Sequence, residues 1–245
     1  MQGPLQYELH TVESIKSTNT ALKELARNGA PEGYVLVALT QTNGRGRMNR
    51  VFYSPKGTGL YCSVLFRPSI PIPAYVLTCM SAVAAAETIE SFDIPCKIKW
   101  VNDVYVRNKK AVGILTEGAF APDGSFVYAV VGIGVNLFPP ADGFPESISD
   151  TATAVFEQKQ DESLRKLFLK RLLQRMKHYY EMLPETPFID AYREKQMIVG
   201  KPILFSDMEG MNRGTAIGID DSFRLLVKTS DGTVHAVDRG DVTIL

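Results

Sequence analysis

Residues 111–136 read AVGILTEGAFAPDGSFVYAVVGIGVN, and the fold is best deduced outward from this stretch. Two apolar, β-branched runs, 111–120 and 126–136, flank Pro122-Asp123-Gly124, which is typical of a turn. The stretch therefore predicts two antiparallel strands joined by that turn. Gly132 and Gly134 interrupt the second run; a flat ligand lying against the strand and a bulge in the core explain them equally well.

Shorter apolar runs and helical spacing extend this core in both directions along the chain. Four more strands are predicted, at residues 34–40, 60–66, 96–100 and 104–106. Four helices are predicted, at residues 14–29, 74–92, 161–182 and 188–195. Because strands and helices do not alternate strictly, we expect an α+β fold with a mixed central sheet and helices packed on it.

The chain after residue 195 follows a different pattern. Four short apolar runs are separated by turn sequences such as Met208-Glu209-Gly210, and they lie at residues 203–205, 213–219, 224–229 and 234–237. Short strands joined by tight turns predict a small closed β-barrel. We therefore expect two domains, a larger one at 1–195 and a C-terminal β-barrel at 196–245.

Composition and charge argue against several classes of protein. The 245 residues include 27 basic and 27 acidic side chains, so no net charge attracts DNA, RNA or an anionic membrane. The N-terminus lacks the pattern of a signal peptide, and the longest apolar stretch, 75–86, is too short to span a bilayer. A cytoplasmic location is predicted. Cys62, Cys79 and Cys96 lack CxxC spacing and predict buried thiols rather than disulfides or a zinc site.

A basic loop is the first candidate ligand site. Gly44-Arg45-Gly46-Arg47 and Arg50 follow a predicted buried strand. The glycines permit positive φ and close approach, successive N–H groups can surround an anion, and arginines suit phosphate or carboxylate. A solvated basic loop explains the spacing equally well. The position of the loop between core strands favours one that closes over a ligand. Neither GxGxxG after a strand nor GxxxxGK[ST] occurs, so the common dinucleotide and P-loop folds are not supported.

The second candidate is the lysine-rich stretch from Lys97 to Gly113. Lys97 is expected to face solvent in a two-faced strand. Asp103 could form an ordinary turn, or it could hold Mg²⁺ or orient a lysine. Lys110 opens a strand three residues before Gly113, an arrangement that suits a ligand carboxylate or α-phosphate. A surface charge remains the simpler explanation for any single lysine here.

Taken together, these segments follow one another in a characteristic order. The order is Ser17-Thr18-Asn19, Gln41, Gly44-Arg45-Gly46-Arg47 with Arg50, Ser54-Pro55, Gly59-Leu60-Tyr61, Lys99-Trp100-Val101-Asn102-Asp103, Lys110, Gly113-Ile114-Leu115 with Glu117, Gly132-Ile133-Gly134-Val135-Asn136, and Gly200-Lys201-Pro202 through to Gly240-Asp241-Val242. In this order the chain resembles the biotin protein ligase family from residue 9 to the C-terminus. The resemblance implies a catalytic biotin- and ATP-binding domain with a central sheet, followed by an SH3-like β-barrel.

The resemblance also implies a role for individual residues. The residues expected to bind biotin are Ser17, Thr18, Asn19, Gln41, Gly44, Arg45, Gly46, Arg47, Lys110, Gly113, Leu115 and Gly132. Those expected to bind ATP or the adenylate are Arg45, Arg47, Arg50, Phe52, Lys110 and Asn136, with Phe52 covering the adenine. Those expected to serve catalysis are Lys110, Asp103 and Arg47, and Asp103 is also the expected contact for Mg²⁺.

Three residues depart from the pattern of the family. Val101 stands where proline is common, Asn49 where glycine is common, and Phe52 where tryptophan is usual. Valine keeps an extended bias, asparagine tolerates the left-handed region, and phenylalanine is still aromatic. None of the three removes a charge that the chemistry needs, so they bear on the motion of the loop more than on activity.

The activity implied is that of a ligase that uses MgATP to form biotinyl-5'-AMP and then modifies a lysine of a biotin carboxyl carrier domain. Some relatives carry an N-terminal DNA-binding domain; Ser17 lies too early in the chain to leave room for one, so no DNA partner is expected. No membrane partner is expected, and a homodimer through a sheet edge is an open alternative.

The sequence is less like a lipoate or octanoate ligase or transferase, because His10, His178 and His235 lie far from the basic loop.

Two further alternatives belong to other classes of protein. A non-catalytic biotin or nucleotide sensor would bind the same ligands, and pyrophosphate release with biotin and ATP would separate the enzyme from it. An RNA-binding protein using the basic loop and the barrel is disfavoured by the zero net charge.

Overall fold

A seven-stranded sheet dominates the computed structural model, which describes residues 4–159, 161–207, 210–238 and 240–245. Its strands are β1 (Glu8–Ile15), β2 (Tyr34–Gln41), β3 (Gly59–Phe66), β4 (Cys96–Lys99), β5 (Asp103–Val106), β6 (Lys109–Phe120) and β7 (Phe126–Asn136). They are ordered β1-β2-β3-β7-β6-β5-β4. Only β1 and β2 are parallel, so the sheet is mixed, as predicted.

The predicted hairpin at 111–136 forms the middle of this sheet. β6 and β7 pair antiparallel, with Leu115 opposite Gly132 and Gly113 opposite Gly134. The register of β6 and β7 shifts only between Ala119 and Phe120, far from both glycines. On its other side β7 pairs with β3 in a continuous register from Gly59 opposite Asn136 to Phe66 opposite Ala129. A bulge is therefore not the reason for Gly132 and Gly134, and that alternative is wrong.

Helices cover both faces of the sheet. They are α1 (Thr18–Arg27), α2 (Ala74–Glu90), α3 (Glu146–Ser149), α4 (Glu162–Glu181) and α5 (Ile189–Glu194). α1 packs against β2, β3 and β7, whereas α2 lies between the sheet and α4 and is buried nearly all round. This double burial explains the alanine-rich, apolar sequence of α2. None of the helices in the described part of the chain combines the length and apolarity needed to span a membrane.

The first predicted helix starts later than expected. Residues 14 and 15 complete β1, which the sequence did not reveal, and Ser17 is extended at φ −158° and caps α1. Its hydroxyl oxygen accepts a hydrogen bond from the N–H of Thr20 at 3.5 Å. The capping preference of serine therefore sets the start of the helix and turns the chain out of the strand.

The C-terminal segment forms a second, five-stranded sheet. Its strands are β8 (Pro202–Asp207), β9 (Gly210–Ile219), β10 (Leu225–Lys228), β11 (Val234–Val237) and β12 (Val242–Ile244), ordered β11-β10-β9-β8-β12. Within the described residues β11 and β12 are its edges. The closed barrel therefore stays a prediction, as does the domain boundary. The first two residues of the predicted turn at 208–210 lie outside the described residues.

One hydrophobic core connects the two sheets. The indole nitrogen of Trp100 donates a hydrogen bond to the carbonyl of Phe223 at 3.0 Å, and Phe188 stacks on Phe223 at 5.4 Å between ring centroids. The hydroxyl of Tyr192 donates to the carbonyl of Val101 at 3.0 Å. These contacts hold the second sheet beside β4 and β5, so Asp241 and Val242 reach the cavity described below.

The cysteines are buried and free, as predicted. Cys62, Cys79 and Cys96 are each within the core, and no disulfide joins them. Burial raises the pKa of each thiol to about 12. All three are therefore neutral and unreactive at physiological pH.

Candidate active site

A cavity of about 360 Å³ lies between the seven-stranded sheet, the basic loop and the start of β12. It extends across the strands from β3 and β7 to β4. All of the predicted site residues except Gly44 line it, namely Ser17, Thr18, Asn19, Gln41, Arg45, Gly46, Arg47, Arg50, Phe52, Asp103, Lys110, Gly113, Leu115, Gly132 and Asn136. Gly44 lies behind the lining, where an added Cβ would be 2.5 Å from the carbonyl oxygen of Phe52.

Neutral polar side chains form one end of the cavity. The side-chain carbonyl of Gln41 accepts hydrogen bonds from the N–H of Thr18 at 2.9 Å and from its hydroxyl at 3.1 Å. The hydroxyl of Ser63 lies 2.6 Å from Oδ1 of Asn19 and 2.8 Å from Oγ1 of Thr18. The Nδ2 of Asn19 donates to the carbonyl of Leu115 at 3.1 Å. This end therefore presents donors and acceptors that are held by one another and suit a neutral polar ring.

An ionic network lies beside this polar end. Glu117 accepts a hydrogen bond from Asn19 at 3.1 Å and pairs with Lys23 at 2.6 Å and Arg45 at 3.2 Å. Burial alone would raise the pKa of Glu117, but the hydrogen bonds from Lys23 and Asn19 and the charge of Arg45 lower it below its ordinary value. Glu117 thus connects the basic loop to the polar end of the cavity.

We expect Glu117→Gln to change how stability depends on pH. Because the folded-state pKa lies below the unfolded one, the carboxylate stabilises the fold fully above its ordinary pKa, and this contribution is lost as pH falls through the folded value. The difference in Tm between wild type and Glu117→Gln should therefore be largest near neutral pH and shrink in acid, as thermal melts at several pH values will measure. The exposed Glu185→Gln is the control; a gap for Glu117→Gln that stays constant with pH would contradict the network.

Glycines make room for side chains above the sheet. An added Cβ on Gly132 would be 2.0 Å from Oδ1 of Asn19, and one on Gly134 would be 2.6 Å from the ring of Phe52. An added Cβ on Gly113 would be 3.1 Å from the ring of Phe52 and 3.2 Å from the side chain of Lys110. The glycines of β6 and β7 therefore leave a flat floor on which the ring of Phe52 lies.

The basic loop differs in detail from the prediction. Neither Gly44 nor Gly46 has a positive φ; the left-handed residue is Met48, at φ 52°. The N–H of Gly46 donates to the carbonyl of Arg50 at 2.7 Å, so it does not point toward an anion. The predicted nest is wrong at this position because the loop turns back on itself, leaving guanidinium groups as its donors.

The guanidinium groups contact the C-terminal sheet. Arg47 donates to Oδ1 of Asn102 at 3.0 Å and to the carbonyl of Gly240 at 2.6 Å. Arg50 forms an ion pair with Asp241. The side-chain nitrogen of Asn102 donates to the carbonyl of Ile114 at 2.9 Å, so Asn102 is itself fixed. The loop is thereby closed over the cavity by residues that are distant in sequence.

A second set of charges lies on β4, β5 and β6. Lys110 and Asp103 form an ion pair at 2.7 Å, beside Gly113. Lys99 lies opposite Asp103 in the register of β4 and β5 and also lines the cavity. Together with the arginines, these residues give the cavity a cationic end opposite its neutral polar end.

Sequence reasoning assigned no role to several residues of this site, among them Lys23, Lys99 and Glu117. Ser63, Asn102, Gly240 and Asp241 also received no role, although all but Ser63 belonged to the motifs quoted above. A buried serine in an apolar strand is the one sign that marked Ser63 beforehand. The contacts of Gly240 and Asp241 with arginines nearly two hundred residues earlier had no local sign.

A model of the biotin/lipoate A/B protein ligase family matches residues 11–136, which is more than half of the chain. The chain belongs to this family. The matched part of this ligase-family chain includes the polar end of the cavity, the basic loop and the Lys110–Asp103 pair. The contacts of the loop with Gly240 and Asp241 lie partly outside it.

Relatives agree with that assignment over nearly the whole chain. The bifunctional ligase/repressor BirA of Bacillus spizizenii is 36% identical over 223 residues, which cover 89% of this chain and 68% of the relative. The biotin–[acetyl-CoA-carboxylase] ligase of Mycobacterium tuberculosis is 29% identical over 249 residues, covering 97% and 89%. The structure of biotin protein ligase from Aquifex aeolicus in complex with biotin and ATP has a TM-score of 0.80 at 29% identity, covering 97% of this chain and 99% of that one.

Proposed function

We propose that this chain is an ATP-dependent biotin protein ligase that forms biotinyl-5'-AMP and then biotinylates a lysine of a biotin carboxyl carrier domain. The observation that carries the proposal is a single cavity with a neutral hydrogen-bonding end and a cationic end, joined by Lys110. The first end suits a buried ureido ring, which needs donors and acceptors, and the second suits a carboxylate beside a triphosphate. The names of the relatives support the same pair of ligands.

The first step joins two anions and therefore needs positive charge. A carboxylate oxygen of biotin attacks the α-phosphorus of ATP; the new O–P bond forms as the bond from the α-phosphorus to the bridging oxygen breaks, and pyrophosphate leaves. Among the described residues, five cationic and two acidic side chains line the cavity, so positive charge is in excess. Lys110, held by Asp103 between the two ends, is placed to contact both reacting groups.

The second step uses the mixed anhydride. The ε-amine of the carrier lysine attacks the acyl carbon, the amide bond forms, the C–O bond to phosphate breaks, and AMP leaves with the surplus proton passing to solvent. Until then the basic loop has to keep water away from the adenylate. The contacts of Arg47 with Asn102 and Gly240 support this role for the loop.

Magnesium would bind chiefly through the phosphates of ATP. The described residues hold no group of three or more metal-ligating side chains, whereas Asp103 supplies one carboxylate at the cationic end. One carboxylate with substrate phosphates is the usual way in which proteins hold Mg²⁺. The ion would neutralise phosphate charge, and Asp103 would be its protein ligand.

The proposal also covers the division of the chain into domains, its cellular location and its oligomeric state. We assign residues 1–195 to the catalytic domain and residues 196–245 to an SH3-like barrel, in which β8 to β11 pair consecutively and β12 returns to pair with β8. The contacts of Gly240 and Asp241 support a role for this segment in closing the basic loop. A cytoplasmic location and a homodimer stay predictions.

The test of the first step is pyrophosphate release. Purified protein is incubated with MgATP and either biotin or lipoate, and pyrophosphate is measured by an enzyme-coupled assay. Release that depends on biotin is the expected result. Release with lipoate alone would move the chain to the other branch of the family, and tight binding of biotin without release would indicate a sensor.

Arg47→Gly is expected to release the adenylate early. Losing two hydrogen bonds from a charged donor should raise the rate at which biotinyl-5'-AMP escapes by about 10- to 100-fold, measured by rapid filtration and chromatography without carrier. Met48→Gly is the matched control, because it adds a glycine to the same loop but keeps the guanidinium, and Met48 is exposed. Equal retention of the adenylate by wild type and Arg47→Gly would show that the loop is not the lid.

A further inference from the structure

Lys99 is a half-buried cation in the cavity, and neither of the two reaction steps described above uses it. It is the last residue of β4, and its side chain lines the cationic end. Lys97 lies on the same face of the same strand but is exposed and does not line the cavity. The two side chains therefore point to the same face of the sheet and differ only in their surroundings.

Lys99 lacks a counterion within the described part of the chain. The other four cations of the cavity each have a partner: Arg45 with Glu117, Arg47 with Asn102, Arg50 with Asp241 and Lys110 with Asp103. No described residue forms an ion pair or hydrogen bond with the ammonium of Lys99, and its cross-strand neighbour Asp103 is turned to Lys110. Burying an ammonium without a partner is costly unless a ligand supplies the opposite charge.

The electrostatics of Lys99 agree with that geometry. Burial lowers its pKa, and the nearby charges of Lys110 and Arg50 lower it further, whereas Asp103 and Asp241 act in the opposite direction. The net effect is that the charged form of Lys99 is less stable here than in water. A bound anion would stabilise the charged form again.

The position of Lys99 in the sheet indicates which anion it would bind. The polar end of the cavity rests on β3 and β7, Lys110 is on β6, and Lys99 is on β4, two strands further out. Neighbouring strands are about 4.8 Å apart, so Lys99 lies roughly 10 Å beyond β6. The phosphates of ATP that lie beyond the α-phosphate, on the side away from biotin, would reach Lys99.

We propose that Lys99 binds the β- and γ-phosphates of ATP and holds the pyrophosphate as it leaves. This inference rests on the proposed function. When the bond between the α-phosphorus and the bridging oxygen breaks, that oxygen keeps the electron pair, and pyrophosphate gains negative charge close to Lys99. Lys99 is a binding residue for the leaving group, distinct in task from Lys110, which faces the attacking carboxylate and the α-phosphate.

The test separates ligands that have the β- and γ-phosphates from one that lacks them. Isothermal titration compares wild type, Lys99→Met, Lys99→Arg and the control Lys97→Met. The ligands are the magnesium complex of α,β-methylene-ATP, pyrophosphate with magnesium, biotin, and a sulfamoyl analogue of biotinyl-adenylate. Methionine keeps the apolar stem of the lysine but not its charge.

We expect Lys99→Met to weaken binding of the ATP analogue and of pyrophosphate by about 10- to 100-fold, the effect of a lost hydrogen bond to a charged group. Biotin and the adenylate analogue should bind as they do to wild type, Lys99→Arg should recover most of the affinity, and Lys97→Met should bind all four ligands normally. Unchanged affinity of Lys99→Met for the ATP analogue would overturn the inference, as would an equal loss for the adenylate analogue. If wild type bound none of these ligands, the proposed function would fall as well.

Discussion

Lys110→Ala is expected to lower the rate of biotin-dependent pyrophosphate release by about 100- to 1000-fold, the effect of removing one preorganised charge from a developing oxyanion. Lys110 lies beside the glycine floor, with its amine held by Asp103 at 2.7 Å. Its removal leaves the carboxylate and the α-phosphate to approach each other without that charge. Single-turnover measurement of pyrophosphate at saturating biotin and MgATP will give the rate.

Lys109→Ala is the matched control for this prediction. Lys109 precedes Lys110 in β6, and its amine donates to the carbonyl of Ser149 at 2.8 Å rather than lining the cavity. Equal melting temperatures of the two variants will exclude a difference in folding as the cause. A single-turnover rate for Lys110→Ala close to that of wild type would remove Lys110 from the chemical step.

Gly132→Ala is expected to weaken biotin binding by about 100-fold or more, since it disturbs at least two buried hydrogen bonds and each buried polar group left unpaired costs roughly 1–3 kcal/mol. The new methyl group would lie 2.0 Å from Oδ1 of Asn19. Asn19 cannot move without breaking its bonds to Ser63, Leu115 and Glu117. Isothermal titration with biotin alone will measure the loss.

Gly218→Ala provides the control for that substitution. Gly218 is also a strand glycine, in β9, and an added Cβ there would meet no atom within 4 Å. It should bind biotin like wild type and have a similar Tm. Wild-type affinity for biotin in Gly132→Ala would mean that the polar end of the cavity is not the biotin pocket.

Local pattern predicted most of the fold. The hairpin at 111–136, the strands β2 and β3, and the helices α2 and α4 have strong periodicity or β-branched runs, and each was found within a few residues of its expected bounds. β1 was missed because it is an edge strand whose residues are exposed or half-buried, so it lacks an apolar run. β12 has only three residues, too few for a periodic pattern to be recognised.

The parts of the site formed by short sequence motifs could be predicted, and the contacts between residues far apart in the chain could not. The basic loop and Lys110 with Gly113 are short motifs whose residue types match their chemistry. The conformation of the loop could not be predicted, because the strained residue proved to be Met48 rather than a glycine. The contact between Arg50 and Asp241 joins residues 191 positions apart, and only the packing of the second sheet against β4 and β5 brings them together.

The measurement that tests the account most directly is the intact mass of a biotin carboxyl carrier domain after incubation with this protein, biotin and MgATP. We expect one biotinyl group per carrier domain, and none when ATP or the protein is omitted. A carrier whose target lysine is replaced by arginine should stay unmodified. Pyrophosphate release without any gain of mass by several different carrier domains would contradict the assignment as a protein ligase.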